Sequence, residues 1–150
     1  MFGDTLPTFA IILLPTGNQP NSTVSGNYGY DQEGPFGCFY FDSGATGFNI
    51  TDNVAENCSA SAVFFNHGNA DLSVSNLWWR NAQSVRNDCV WDPKQRGAGP
   101  FWGNCTVDSS TTVEVKPGSP WPAGAQAVID AAGRAGGLAS AGPALIAGRY

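Results

Sequence analysis

Asp42 and His67 are the residues best placed for acid–base chemistry. Asp42 closes the apolar run Phe39-Tyr40-Phe41, Asn66 closes Val63-Phe64-Phe65 24 positions later, and His67, the one histidine of the chain, follows directly. Asp92 takes the corresponding place after Cys89-Val90-Trp91, and Thr16 an earlier one. Two carboxylates a repeat or two apart can divide acid and base roles where their surroundings separate their pKa values. A histidine at the same edge can serve as general base or sugar ligand. The competing reading is a ladder of turn residues in which Asp and Asn cap backbone amides, with His67 as a surface turn residue. Asp31 and Glu33 bring further carboxylates to an early loop, too few for a defined calcium site. With one histidine and no Cys-x-x-Cys, neither a metal nor a cofactor is expected.

Trp78-Trp79-Arg80 is the second group. Neighbouring strand residues point to opposite sides, so one indole faces the core and the other lies exposed beside a guanidinium. Trp79, Arg80 and Trp91, with Trp102 nearby, are read as a carbohydrate-binding platform, because amphipathic rings stack on sugar faces. Against this, Trp78 aligns with Val54 and Tyr28, a column that reads as interior packing.

Four cysteines and four sequons point to the secretory route. Asn21-Ser-Thr, Asn49-Ile-Thr, Asn57-Cys-Ser and Asn104-Cys-Thr each satisfy the rule for N-glycosylation. Cys38 and Cys58 fall on neighbouring repeats, which favours Cys38–Cys58 and leaves Cys89–Cys105; each closure contributes roughly 3 kcal/mol in the entropic account. The alternative is four buried thiols of a cytosolic protein. A secreted or extracellular protein is the preferred reading. Met1-Phe-Gly-Asp lacks the basic start of a signal peptide, so a targeting segment is expected outside this chain, which reads as a fragment.

These residues are positioned by an internal repeat. Phe39–Asn57 overlays Val63–Asn81, with Gly44 on Gly68, Phe48 on Leu72, Ile50 on Val74, Thr51 on Ser75 and Asn57 on Asn81. Leu13 and Val24 fall on Phe39 and Ile50 at a spacing of 26, and Cys89–Asp92 falls on Val63–Asn66 at the same spacing. A period in the twenties, carrying a strand, a Gly/Asp/Asn turn and a second alternating strand, is that of a solenoid. Phe48 and Ile50 alternate with Asn49 and Thr51, so one strand face is buried and Asn49 points outward. The spacing predicts an all-β chain of about four stacked repeats over residues 1–120. Trp121 to Gly133 changes to a helical pattern, with Pro122 in the first turn, Ala125, Val128, Ile129 and Ala132 on one face and Gly133 at the C-cap. This helix is expected to close the open end of the core, and 134–150 to be a flexible tail.

The 150 residues fit one domain, and a 13 % charged content with 19 Gly and 10 Pro favours strands and turns over helices. A net charge of −5 excludes nucleic acid as a partner, and no apolar run is long enough to span a membrane.

The strand, polar turn and Val/Ile-Ser/Thr-x-Asn pattern of Phe39–Asn57 and Val63–Asn81 resembles the right-handed parallel β-helix, or pectin-lyase-like, carbohydrate-active proteins. The closing Trp121-Pro-x-x-Ala-Gln-x-Val-Ile-x-x-Ala-Gly is similar to the short C-terminal helix of many members. The resemblance covers roughly residues 13 to 133. It implies the C-terminal part of a secreted glycoside hydrolase or polysaccharide lyase that acts on a polysaccharide or glycan, inactive as this fragment. The alternative is a non-catalytic wall or fibre glycoprotein that self-associates through open β-helix ends. The chain departs from the pattern in having few repeats and in placing Leu77 where the earlier repeat has Asn53.

Overall fold

The structure, a computed structural model, describes residues 11–13, 21–42, 44–89 and 103–134. Along the chain the strands are β1 (Ile11–Leu13), β2 (Ser22–Ser25), β3 (Tyr28–Tyr30), β4 (Phe39–Phe41), β5 (Phe48–Thr51) and β6 (Asn53–Glu56). They continue as β7 (Ser61–Phe65), β8 (Ser73–Val74), β9 (Leu77–Arg80), β10 (Gln83–Asn87), β11 (Thr106–Val107) and β12 (Thr112–Glu114). One helix, α1 (Ala123–Ile129), runs on into a π-helical turn at Asp130–Arg134.

Every third strand pairs, always in parallel. The first sheet is β1-β4-β7-β10, the second β2-β5-β8-β11 and the third β3-β6-β9-β12. Parallel partners need a crossover between them; here each crossover is made of strands belonging to the other two sheets. The described chain is thus mostly strand, in parallel sheets, with little helix.

Short side chains in left-handed backbone make the bends between strands possible. Asn21, Gly47, Asp71 and Asn104 stand in one column before the second sheet; Gly26, Asp52 and Asn76 stand before the third, and Asp31, Asn57 and Asn81 after it. All ten have positive φ, between 44° and 78°, a region open to Gly and tolerated by Asn and Asp. The side chains obey a simple rule. Each Asn that follows an Asp or Asn in its column donates Nδ2–H to it: Asn57 to Asp31 at 2.9 Å, Asn81 to Asn57 at 2.7 Å, Asn76 to Asp52 at 3.0 Å and Asn104 to Asp71 at 2.8 Å. Asp stands where the preceding member is Gly and offers no acceptor, as Asp52 after Gly26 and Asp71 after Gly47.

The inward faces build one core from Phe39, Phe41, Ile50, Ala55, Val63, Phe65, Leu72, Val74, Leu77 and Trp79. Asn53 is one of the polar residues buried with it, 1 % exposed, as Asn69 is at 0 %. Asn53 Nδ2 donates to the Val24 and Thr51 carbonyls at 2.8 and 2.9 Å and its Oδ1 accepts from the Asn27 backbone at 3.0 Å, so its burial leaves nothing unpaired. Leu77 replaces it in the next repeat. Cys38 is bonded to Cys58 and Cys89 to Cys105.

The outer repeats depart from the register expected from the sequence. Ile11, not Leu13, pairs with Phe39; Thr16 lies outside the described residues. Val85, not Cys89, pairs with Val63. Only Asn81 and Ala82 separate β9 from β10, whereas four residues separate β6 from β7, so the repeat shortens. The extra residues enter after β10 instead, between Cys89 and Cys105, whose disulfide closes them off. Asp92, Trp91 and Trp102 lie outside the described residues.

Helix α1 also differs from expectation. Pro122 is its N-cap rather than its first helical residue, and no cap stands at Gly133, where the π turn continues. It lies on the outer side of the third sheet, not over an end. Ala125 and Ile129 pack with Val54, and Tyr28, Trp78, Trp121 and Val128 surround them. Gly124 permits the approach: a Cβ there would stand 3.0 Å from the Trp78 ring. The Tyr28-Val54-Trp78 column is therefore interior to a second, smaller core. Of the expected tail, nothing beyond Arg134 is among the described residues.

Candidate functional site

Asp42, Asn66 and Asp88 follow the paired ends of β4, β7 and β10, and backbone bonds from Asn66 to Phe41 (2.9 Å) and Asp88 to Phe65 (3.0 Å) carry the ladder through them. Asp88 therefore occupies the position the sequence assigned to Asp92. At a parallel-strand spacing of about 4.8 Å, the two aspartates stand roughly 9–10 Å apart with Asn66 between them. Tyr40 precedes Asp42 by two residues, and period-two alternation puts both on the outer face of the first sheet.

Three polar groups close on one another there. The Tyr40 hydroxyl donates to Asp42 Oδ1 at 2.8 Å, and Asn66 Nδ2 lies 2.8 Å from both the Tyr40 hydroxyl and Asp42 Oδ1. Burial, and then the carboxylate that holds its proton, push the Tyr40 phenol up to about 12. It stays protonated and donating through the neutral range. His67 Nδ1 lies 3.2 Å from the Asp88 carbonyl, an acceptor only, so Nδ1–H donates there. The sequence thus named three members of this edge, Asp42, Asn66 and His67, and the register adds Tyr40 and Asp88.

Aromatic rings run alongside. Tyr40, Phe64 and Arg86 occupy one outward column. The Phe36 ring stacks on Tyr40 with centroids 4.6 Å apart, Tyr40 meets Phe64 at 5.3 Å, and the Arg86 guanidinium lies 4.4 Å over Phe64. Arg86 also bridges Asp88 at 2.6 Å, an exposed pair of little energetic weight. Tyr40 and Phe64 are each 6 % exposed and Phe36 is 42 % exposed, so Phe36 presents the stack to solvent. The arrangement offers an aromatic face beside a row of hydrogen-bonding carboxylate, amide and imidazole groups. Asp42, with Oδ1 accepting twice, is built as a rung of that row.

Trp79 and Arg80 do not stand as the exposed platform the sequence suggested, and Trp91 lies outside the described residues. Trp79 is 7 % exposed inside the main core, because its parity is that of Leu77 and Ala55. Trp78, on the opposite parity, lies beneath α1. Arg80 is occupied on several sides: Nε donates to Glu56 Oε1 at 2.7 Å, Nη1 to the Ser119 carbonyl at 3.2 Å, and its plane lies 4.2 Å from the Trp121 ring. The Tyr28 hydroxyl donates to the other Glu56 oxygen. Arg80 and Glu56 are a clamp that holds the segment leading into α1. Their spacing of one repeat was visible in the sequence, but nothing there paired them with Trp121.

Asn49 is exposed on β5, between half-buried Phe48 and buried Ile50. Asn21, Asn57 and Asn104 are also exposed, in left-handed bends. Among the described residues no group of three or more His, Cys, Asp or Glu is placed to hold a metal ion, and no helix is long and apolar enough to cross a membrane. The two disulfides fit an oxidising, extracellular environment. No protein-family model, curated protein or solved structure matches the chain.

Proposed function

We propose that the three parallel sheets form a right-handed parallel β-helix and that the chain belongs to a secreted, polysaccharide-active protein, its repeats binding glycan without cleaving it. The observation that carries this reading is the Phe36 ring, 42 % exposed and stacked at 4.6 Å on Tyr40, beside the polar row Asp42, Asn66, His67 and Asp88. A sugar ring has an apolar face and equatorial hydroxyls; an aromatic surface flanked by acceptors suits both. Cleavage asks more of the site, a cleft and an acid–base pair free to exchange protons, whereas Asp42 is tied to Tyr40 and Asn66.

The test is titration of purified chain against pectins, xylans and fucosylated glycans, with reducing-end and unsaturated-product assays in parallel. Binding without turnover is expected, weakened about tenfold by Phe36→Ala, the loss of roughly 1.4 kcal/mol. Turnover abolished by Asp42→Asn would overturn it and make Asp42 catalytic. The runner-up is a structural glycoprotein of a wall or fibre, favoured by the continuous Asp31-Asn57-Asn81 column, whose bonds join successive repeats and need no ligand. Sedimentation showing concentration-dependent assembly, with no glycan bound, would select it.

A further inference from the structure

We propose that the fold sorts the four sequons, so that Asn21 and Asn49 carry N-linked glycans in the mature protein and Asn57 and Asn104 stay bare. The sorting rests on where each amide nitrogen is held, and it stands independently of the glycan-binding reading.

Asn49 lies mid-strand on the outer face of the second sheet, in a column with Thr23, Ser73 and Thr106. Its Oδ1 accepts from the Ser73 hydroxyl at 2.8 Å, and no described residue accepts from its Nδ2. The described neighbours in that column are short, and Asn49 is exposed among them. Asn21, exposed at a φ of 64°, is followed in its column by Gly47, which has no side chain to engage it.

The other two are held at both the side chain and the chain. Asn57 Nδ2 donates to Asp31 Oδ1 at 2.9 Å while its Oδ1 accepts from Asn81 at 2.7 Å. Asn104 Nδ2 donates to Asp71 Oδ1 at 2.8 Å. The middle residue of each sequon is a disulfide cysteine, Cys58 bonded to Cys38 and Cys105 to Cys89. Transfer forms a bond from Nδ2 to the anomeric carbon of an oligosaccharide carried on a polyisoprenyl pyrophosphate; the carbon–oxygen bond to pyrophosphate breaks, the lipid pyrophosphate leaves, and one amide proton is released. At Asn57 and Asn104 that nitrogen points along the column into a carboxylate, and the pinned cysteine denies the sequon the freedom to present it. The glycans at Asn21 and Asn49 both stand along the second sheet, which leaves the Phe36–Asp42 face of the first sheet uncovered.

The test directs the full chain through the secretory pathway of a eukaryotic cell and measures occupancy at each sequon by enzymatic release in heavy-oxygen water followed by peptide mass analysis. Asn21 and Asn49 are expected to be occupied several-fold more than Asn57 and Asn104, and Asn49→Gln to remove one glycan from the secreted chain. Equal occupancy at all four, or a bare Asn49, would overturn the proposal. Asp31→Ala frees Asn57 Nδ2 without touching a sequon or a cysteine, and retention of both disulfides reports that the fold is kept. Occupancy at Asn57 is then expected to rise; if it stays unchanged, the column is not what protects Asn57.

Discussion

Tyr40 shows how much a single outward residue can carry. Its ring joins Phe36 to Phe64, its hydroxyl fixes Asp42, and its phenol titrates at about 12 instead of 10. The folded chain therefore holds that proton more tightly than the unfolded chain. The stability this supplies is complete below pH 10 and is lost as pH rises through 12. In Tyr40→Phe the loss between these limits is expected to flatten, as read from urea midpoints at a series of alkaline pH values. An unchanged slope would mean that another group governs it. Asp42→Asn is expected to change stability by less than about 1 kcal/mol, since an amide oxygen can accept the same two bonds. The row of polar residues at this edge was legible in the sequence, because Asp42 and Asn66 end equivalent strands. Asp88 was not, because one shortened turn moved the register by a few residues, which no local pattern in Gln83–Asp88 announces.

At the scale of elements, a close contact of helix α1 is at Gly124. Gly124 lies against Trp78, and any Cβ there is 3.0 Å from two ring atoms of the indole. Gly124→Val is expected to lift α1 from the third sheet, expose Val54, Trp78 and Trp121, and shift tryptophan emission to the red, with a cost of about 2–4 kcal/mol from lost burial. The three sheets are expected to persist, because their core does not include α1. Loss of all cooperative structure would show instead that the helix is required for the stack. The helical segment itself was legible from the spacing of Ala125, Val128 and Ile129. Its seat was not: an amphipathic face says that something is covered, and only the outward column Tyr28, Val54 and Trp78 says what.

Across the whole molecule, every repeat rests mainly on its neighbours, so stability is distributed along the stack. The Cys89–Cys105 bond ties the chain just after β10 to the chain just before β11, two strands that each have a single partner strand. Cys105→Ser with Cys89→Ser is expected to cost about 3 kcal/mol and to raise hydrogen exchange in β10 and β11 before β5 and β6. Uniform acceleration would show a single cooperative unit instead. By itself the sequence determined that the chain is built of short strands at a period near 24 and which strand faces are buried in the two central repeats. Those properties follow from side-chain alternation, which is local. Only the tertiary structure decided the register of the outer repeats, the burial of Trp79 over Trp78 and the surface that α1 covers. Each depends on turn lengths and on contacts between segments far apart in the chain, which no local pattern encodes.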